Sequence, residues 1–260
     1  MLPADARARP TLIFLHYFGG SARAWSGVIA RLAGAFDCLA LDLRGFGAAR
    51  DAAGPYSVDA YADDVASLLA RRGSARTIIV GHSMGGKIAL ALASRRPLGI
   101  SGLVLVAPSP PTPEPMTEDE RARMLGAHGD REALLAIARE ITARPLPPVL
   151  LEQVVGDMLS SGVAAWSAWL RGGSRESIPI EAGPLSLPSV IITGGSDTVI
   201  PRRVLEEDVM PRLATSRLIA LAGAGHLLPL EAPDRLADHI GDSARIFAAA
   251  DVGGAAATQL

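Results

Sequence analysis

The chain has a single cysteine, Cys38, and that scarcity excludes two roles at once. One thiol cannot form an intrachain disulfide, and no cysteine-rich metal site can be assembled around it. Its setting in the apolar run 36–41 predicts a small buried hydrophobe. Long apolar runs are missing as well: nowhere do about 18 uninterrupted apolar residues occur, so no membrane-spanning helix is expected. The first ten residues, MLPADARARP, lack the apolar core of a secretory signal, and a cytoplasmic protein is the expectation. Neither sign of charge dominates. The net charge is −2 with acids and bases interspersed, which argues against nucleic acid or an anionic membrane surface as partner. Aromatic residues make up 4%, too few for an extensive aromatic binding surface.

What remains is rich in core-forming residues. Hydrophobic residues account for 49% and charged ones for 20% of 260 positions, the profile of one large globular domain with room for an insertion. Apolar β-rich runs recur at 11–16 (TLIFLH), 37–42 (DCLALD), 77–82 (TIIVGH) and 102–107 (GLVLVA), and again at 189–194 (SVIITG) and 217–221 (RLIAL). Most are continuously apolar rather than alternating, as strands covered on both faces require. Helical patterns fall between them, at about 57–72, 88–95, 201–213 and 233–250. This alternation predicts a mostly parallel, doubly wound α/β sheet of about six strands.

The alternation lapses between Pro108 and Pro188. A proline-rich exit, PSPPTPEP, leads into helical stretches near 118–128, 131–142, 148–161 and 163–171. A core of 1–108 and 188–250 with a helical lid inserted at 109–187 is therefore expected, followed by a flexible tail at 251–260.

The segment 81–90, GHSMGGKIAL, fits two patterns. As Gly81–x4–Gly86–Lys87 it approaches a phosphate-binding loop, but that loop needs Ser or Thr after the lysine to hold Mg²⁺, and here stands Ile88. As Gly81–x–Ser83–x–Gly85 it is a sharp strand-to-helix turn that lifts a serine hydroxyl above the sheet edge. Small residues must flank such a turn, and Gly81, Gly85 and Gly86 supply them. The N–H of Met84, opening the next helix, would then point at an oxyanion beside Ser83.

With HYFGG at 16–20, DLRGFG at 42–47, GHSMGG at 81–86, GGSD at 194–197 and GAGH at 223–226, the chain resembles the α/β-hydrolase superfamily over roughly residues 11–247. The resemblance is specific for superfamily and weak for substrate. It implies a serine nucleophile, Ser83, served by a histidine base and a carboxylate in the order Ser83, Asp197, His226. Of the five histidines, His226 follows the last strand on a glycine-flanked loop at the same sheet edge as Ser83. His82 should face the scaffold, His239 the surface, and His128 solvent within the lid. Asp197 follows a strand on the turn GGSD, and Glu114, beyond the preceding strand, is the competing acid. Asp42 is read as holding loops together.

By position the resemblance gives Phe18 as the second oxyanion donor, with Tyr17 as the alternative. Tyr17 stands where many relatives carry glycine. His16, Trp166, Trp169 and Met116 are candidate pocket residues, although docking of the lid on the core is the favoured reading of the two tryptophans. Lys87 is expected to be solvated, without a catalytic task. Relatives often carry a β-hairpin before the first strand. Ten residues precede Thr11, so that hairpin is expected to be reduced or missing.

The resemblance implies hydrolysis of carboxylic esters with small to medium, largely apolar acyl groups through an acyl-enzyme, with neither metal nor organic cofactor. A cofactor-free haloperoxidase (perhydrolase), a lactonase or a C–C bond hydrolase could run on the same residues. A slow-turnover ligand receptor is the reading from a different class. Substrate identity and oligomeric state are not legible.

Overall fold

Six apolar runs become six strands: β1 (Thr11–Leu15), β2 (Asp37–Leu41), β3 (Thr77–His82), β4 (Ile100–Val106), β5 (Ser189–Gly194) and β6 (Ser216–Leu221). The computed structural model describes residues 9–73, 76–180 and 183–257, with side chains up to residue 249. Every strand pairs parallel to its neighbours, in the order β2-β1-β3-β4-β5-β6. Parallel pairing demands crossovers that cover both faces, which is why β1, β3, β4 and β5 are buried along their whole length. Only the two edge strands are partly exposed. Cys38 lies on edge strand β2 and is accordingly half-buried, not the fully buried hydrophobe expected.

One face of the sheet carries α2 (Val58–Arg72) and α3 (Met84–Ser94); α1 (Ser26–Leu32) and α10 (Pro233–Ala257) pack on each other across the other face. The capping signals of α2 work as the sequence suggests. The Ser57 hydroxyl accepts from the Ala60 N–H at 3.2 Å, and Gly73 closes the helix at φ 61°.

Between β4 and β5 run α4 (Glu118–Ala127), α5 (Arg131–Glu140), α6 (Pro148–Ser160) and α7 (Val163–Arg171). Their apolar sides, including Leu134, Ile137, Val154 and Trp166, belong to the same buried cluster as Ile79 and Leu105 of the sheet. Beyond β5 the expected continuous helix over 201–213 is broken. It is a three-residue turn, α8 (Arg202–Val204), then a π-helical stretch over 205–209 and a 3₁₀ turn over 210–212. Pro211 has no N–H to donate back along the chain, so a regular ladder cannot run through it. A short α9 (Leu228–Glu231) precedes α10. Helix α10 continues to Ala257, through most of the stretch expected to be a flexible tail. Residues 258–260 lie outside the described residues, as do residues 1–8, on which the hairpin expectation largely falls.

This topology creates the crevice for the site. From β1 the chain moves outward to β2, then returns past β1 to β3, so the crossovers diverge between β1 and β3. Ligands in such sheets bind outside the carboxyl ends of the strands at this switch point. The segments leaving β1 and β3 are His16–Phe18 and Ser83.

Candidate active site

Ser83 has φ 51° and ψ −114°, a left-handed conformation that a residue with a side chain adopts at a cost of about 1–3 kcal/mol. The strain is imposed by the turn from β3 into α3. The Ser83 carbonyl accepts from the Gly86 and Lys87 N–H groups at 2.8 and 3.2 Å, and the Ser83 N–H bonds the Val106 carbonyl at 3.0 Å. The turn packs too tightly for side chains around it. A Cβ on Gly85 would lie 2.5 Å from the Leu15 carbonyl oxygen, and one on Gly81 would penetrate the backbone of Gly85. As the first residue of α3, Met84 has an N–H with no partner in its own helix.

Ser83 and His226 line one cavity of about 300 Å³. The His226 Nδ1 sits 2.9 Å from Asp197 Oδ2, so the ring donates there and its Nε2 is left for another partner. Asp197 in turn accepts the N–H groups of Val199 and Ile200 at 2.8 and 3.1 Å, which fixes its carboxylate. Burial works against a charged His226 ring. Asp197, by charge and hydrogen bond, outweighs it, aided by Glu114 and Glu231, and the net shift is upward.

The backbone of His226 is held on every side. Its N–H bonds the Ile141 carbonyl at 2.9 Å, and its carbonyl accepts from His82 Nε2 at 2.8 Å. Glu231 spans the loop. One carboxylate oxygen accepts from Leu227 N–H at 3.0 Å, and the other from Gly225 and Ala143 N–H at 2.9 and 2.8 Å. Glu231 escaped the sequence reading; its signal is an acid reaching back from a short helix to the N–H groups at that helix's own start, as capping acids do.

The HYFGG loop folds as a four-residue turn, Gly20 N–H to Tyr17 carbonyl at 3.0 Å, with Gly19 at φ 76°. Positive φ at the third position is the type II pattern. Tyr17, standing where relatives carry glycine, is therefore free of left-handed strain. Tyr17 and Phe18 both border the cavity. The Tyr17 ring is buried against His82, 5.2 Å between centroids, and the Phe18 ring rests on Trp166 at 4.4 Å.

Of the four candidate pocket residues, Trp169 and Met116 line the cavity and the other two do not. His16 is fully buried: its Nε2 accepts from Leu43 N–H at 3.1 Å and its Nδ1 donates to the Tyr17 carbonyl at 2.7 Å. Burial drives its pKa down to about 4, so it is a neutral brace between two loops. Trp166 stands behind Phe18, its indole N–H bonded to the Met124 carbonyl at 2.9 Å. His82 faces into the scaffold as expected. His128 is half-buried rather than solvated, bonded to the Ser161 carbonyl at 2.8 Å. Asp42 accepts from Ala22 and Ala48 N–H at 2.8 and 3.0 Å, tying two loops as expected.

Lys87 reverses its expectation. It is fully buried, donates to the Thr112 carbonyl at 3.0 Å, and burial lowers its pKa to about 8 despite Glu114 and Glu176 nearby. The proline-rich segment leaving β4 folds over it. The carboxyl of Glu114 lines the cavity beside Ser83 and receives a short hydrogen bond from the Ser109 hydroxyl. A larger cleft of about 630 Å³, bordered by Asp42, Arg44, Asp64 and Arg71, lies on the outer surface near β2 and contains none of Ser83, Glu114, Asp197 and His226. Among the described residues, no three His, Cys, Asp or Glu side chains are grouped to hold a metal, and no helix is long and apolar enough to cross a membrane.

Comparison with known proteins bears on the family and the fold. A 102-residue stretch is 37% identical to an uncharacterized protein of Mycobacterium tuberculosis, covering 39% of this chain and 30% of that one. The chain thus spans under a third of the length of the first curated relatives it matches. It is 28% identical over 246 residues to a pimeloyl-[acyl-carrier protein] methyl ester esterase of Nitrosomonas europaea, covering 87% of this chain and 92% of the relative. Its fold superposes on an esterase from Exiguobacterium antarcticum with a TM-score of 0.84 at 19% identity, covering 92% of each chain. The profile of the alpha/beta hydrolase family matches residues 12–239, and the chain belongs to that family.

Proposed function

We propose that the protein is a serine hydrolase that cleaves carboxylic esters with small to medium, largely apolar acyl groups. The observation carrying this reading is the His226–Asp197 hydrogen bond at 2.9 Å, made by an imidazole that borders the same cavity as the strained Ser83. In this mechanism Nε2 of His226 takes the Ser83 proton as the hydroxyl oxygen attacks the ester carbonyl. The N–H groups of Met84 and Phe18 receive the developing oxyanion. Collapse expels the alcohol, which takes the proton from His226. A water deprotonated by the same nitrogen then releases the acid. Asp197 fixes the ring tautomer and stabilises its charged form.

The apolar acyl preference rests on Phe18, Met116, Met124, Ile137, Met158 and Trp169, which line the cavity with Ser83. Helices α4 to α7 act as the lid over it. The test is turnover of ethyl butyrate beside labelling by a fluorophosphonate. Wild type should turn over repeatedly and label at Ser83, while Ser83→Ala should lose activity by about 10⁴-fold or more and all labelling. A Ser83→Ala variant as fast as wild type overturns the assignment, and one turnover with the acyl group retained would favour a receptor.

A further inference from the structure

Beside the site stand two ionisable groups to which the mechanism gives no task, the half-buried Glu114 and the fully buried Lys87. Taking such groups out of water costs several kcal/mol each unless they are paired and hydrogen-bonded, so their position beside a cavity calls for an explanation. Glu114 is firmly built in. Its N–H bonds the Ser174 carbonyl at 2.8 Å, and its own carbonyl accepts from Met116 N–H at 2.7 Å. Ser109, which holds one of its carboxyl oxygens, donates its backbone N–H to the Ser83 carbonyl at 3.0 Å. The carboxyl therefore stands next to the reacting centre on a fixed mount. Among the described residues no other hydrogen bond reaches it.

The cations near Glu114 stand behind the wall, not in it. Lys87 is fully buried and spends a proton on Thr112; Arg121 is 4% exposed and is bonded to the Leu170 carbonyl and the Ser174 hydroxyl. Burial, the largest influence, raises the pKa of Glu114, while the Ser109 hydrogen bond, Lys87, His226 and Arg121 favour its ionised form; neither Lys87 nor Arg121 lines the cavity. Besides His226, which is paired with Asp197, the charged side chains that do are Glu114, Glu120, Glu140 and Arg123. Arg123 is already paired with Glu140 at 2.8 Å, and Glu120 caps α4 through Thr117. A ligand in this cavity thus meets a carboxyl acceptor and no unmatched cation.

Building on the hydrolase reading above, we propose that Glu114 forms a polar subsite that accepts neutral or cationic esters, gains from a hydrogen-bond donor on the substrate, and turns away esters carrying a free carboxylate. The subsite is a matter of recognition only and forms or breaks no covalent bond.

Matched substrates test this on the wild-type protein. Ethyl butyrate, monoethyl succinate and ethyl 4-aminobutyrate vary charge in the acyl part, and 3,3-dimethylbutyl acetate and acetylcholine vary it in the alcohol. In at least one series kcat/KM should fall at least about 30-fold from neutral to anionic ester, or rise about as much from neutral to cationic, the scale expected of like and unlike charges at close range. Glu114→Gln should compress that ratio by about tenfold, whatever it does to the absolute rates. Equal kcat/KM across charges in both series overturns the proposal, as does a ratio that Glu114→Gln leaves intact. If the neutral esters themselves are not cleaved, the hydrolase reading fails and this one with it.

Discussion

At the scale of the residue, His226 is the group whose titration should be visible. Its pKa is raised above the ordinary 6.5 because Asp197, Glu114 and Glu231 favour the imidazolium more than burial disfavours it. A general base must be neutral, so a raised pKa retains the inhibitory proton to higher pH. The acidic limb of kcat/KM should therefore lie above pH 6.5 and activity should fall as pH drops through it. Glu114→Gln removes one negative neighbour and should move that limb downward. Asp197→Asn should lower kcat by about 10³–10⁴-fold through loss of the correct tautomer. A limb at or below 6.5, unmoved by Glu114→Gln, would contradict this electrostatic account.

The same scale separates what the sequence disclosed from what it hid. Ser83, Asp197 and His226 could be picked out because each follows an apolar run by one or a few residues on a glycine-bearing turn, and all strands of a parallel sheet end at one edge. Lys87 could not be read that way. Its burial depends on a strap some 25 residues later folding back across α3, and no local pattern encodes that contact. His16 was misjudged for a related reason: its partner Leu43 comes from the loop after a different strand.

At the scale of the element, the loop carrying His226 is tied to the insertion rather than to the sheet alone. Ile141 and Ala143, just beyond α5, bond to His226 and Glu231, so one carboxylate joins the loop of His226 to the helical segment. Glu231→Ala leaves the N–H groups of Gly225 and Leu227 without that acceptor, in a loop whose residues are buried. Hydrogen bonds to a charged group are worth about 1.5–3 kcal/mol, and displacement of a catalytic group by about 1 Å can cost 10²-fold in rate. Glu231→Ala should therefore lower kcat by 10- to 100-fold with little change in KM, and Glu231→Gln, which keeps one oxygen acceptor, should recover part of it. A KM effect alone, or wild-type kcat in Glu231→Ala, would show that the loop holds its place without the clasp. Element boundaries were the most legible feature of the sequence. The four inserted helices start where the sequence pattern places them and stop within two residues of it; side-chain caps at Thr117 and Asp130 mark the starts of α4 and α5, whereas α6 and α7 begin without one. The stretch 201–213 departs because Pro211 interrupts a pattern that periodicity alone reads as continuous.

At the scale of the whole molecule, the sheet divides the interior into two buried clusters, and the inserted helices belong wholly to one of them. Trp166 and Trp169 sit in the same cluster as Ile79, Met84 and Leu105, whereas Trp25 lies on the opposite face with Leu12 and Val104. An insertion sharing its core with the sheet has no separate interior to unfold around, so it should melt with the rest of the molecule. The three tryptophans make this measurable. In Trp25→Phe the remaining fluorescence reports the insertion, while far-UV circular dichroism reports all helices and strands. The two thermal transitions should coincide. Trp166→Ala, which empties the space under Phe18 and removes the bond to Met124, should cost about 3–5 kcal/mol and lower both midpoints together. At roughly 2–4 °C per kcal/mol for a chain of this size, that is a shift of about 6–20 °C. A fluorescence transition well below the circular-dichroism one would mean that the insertion unfolds by itself, as a separately stable, detachable unit rather than part of the sheet's own core.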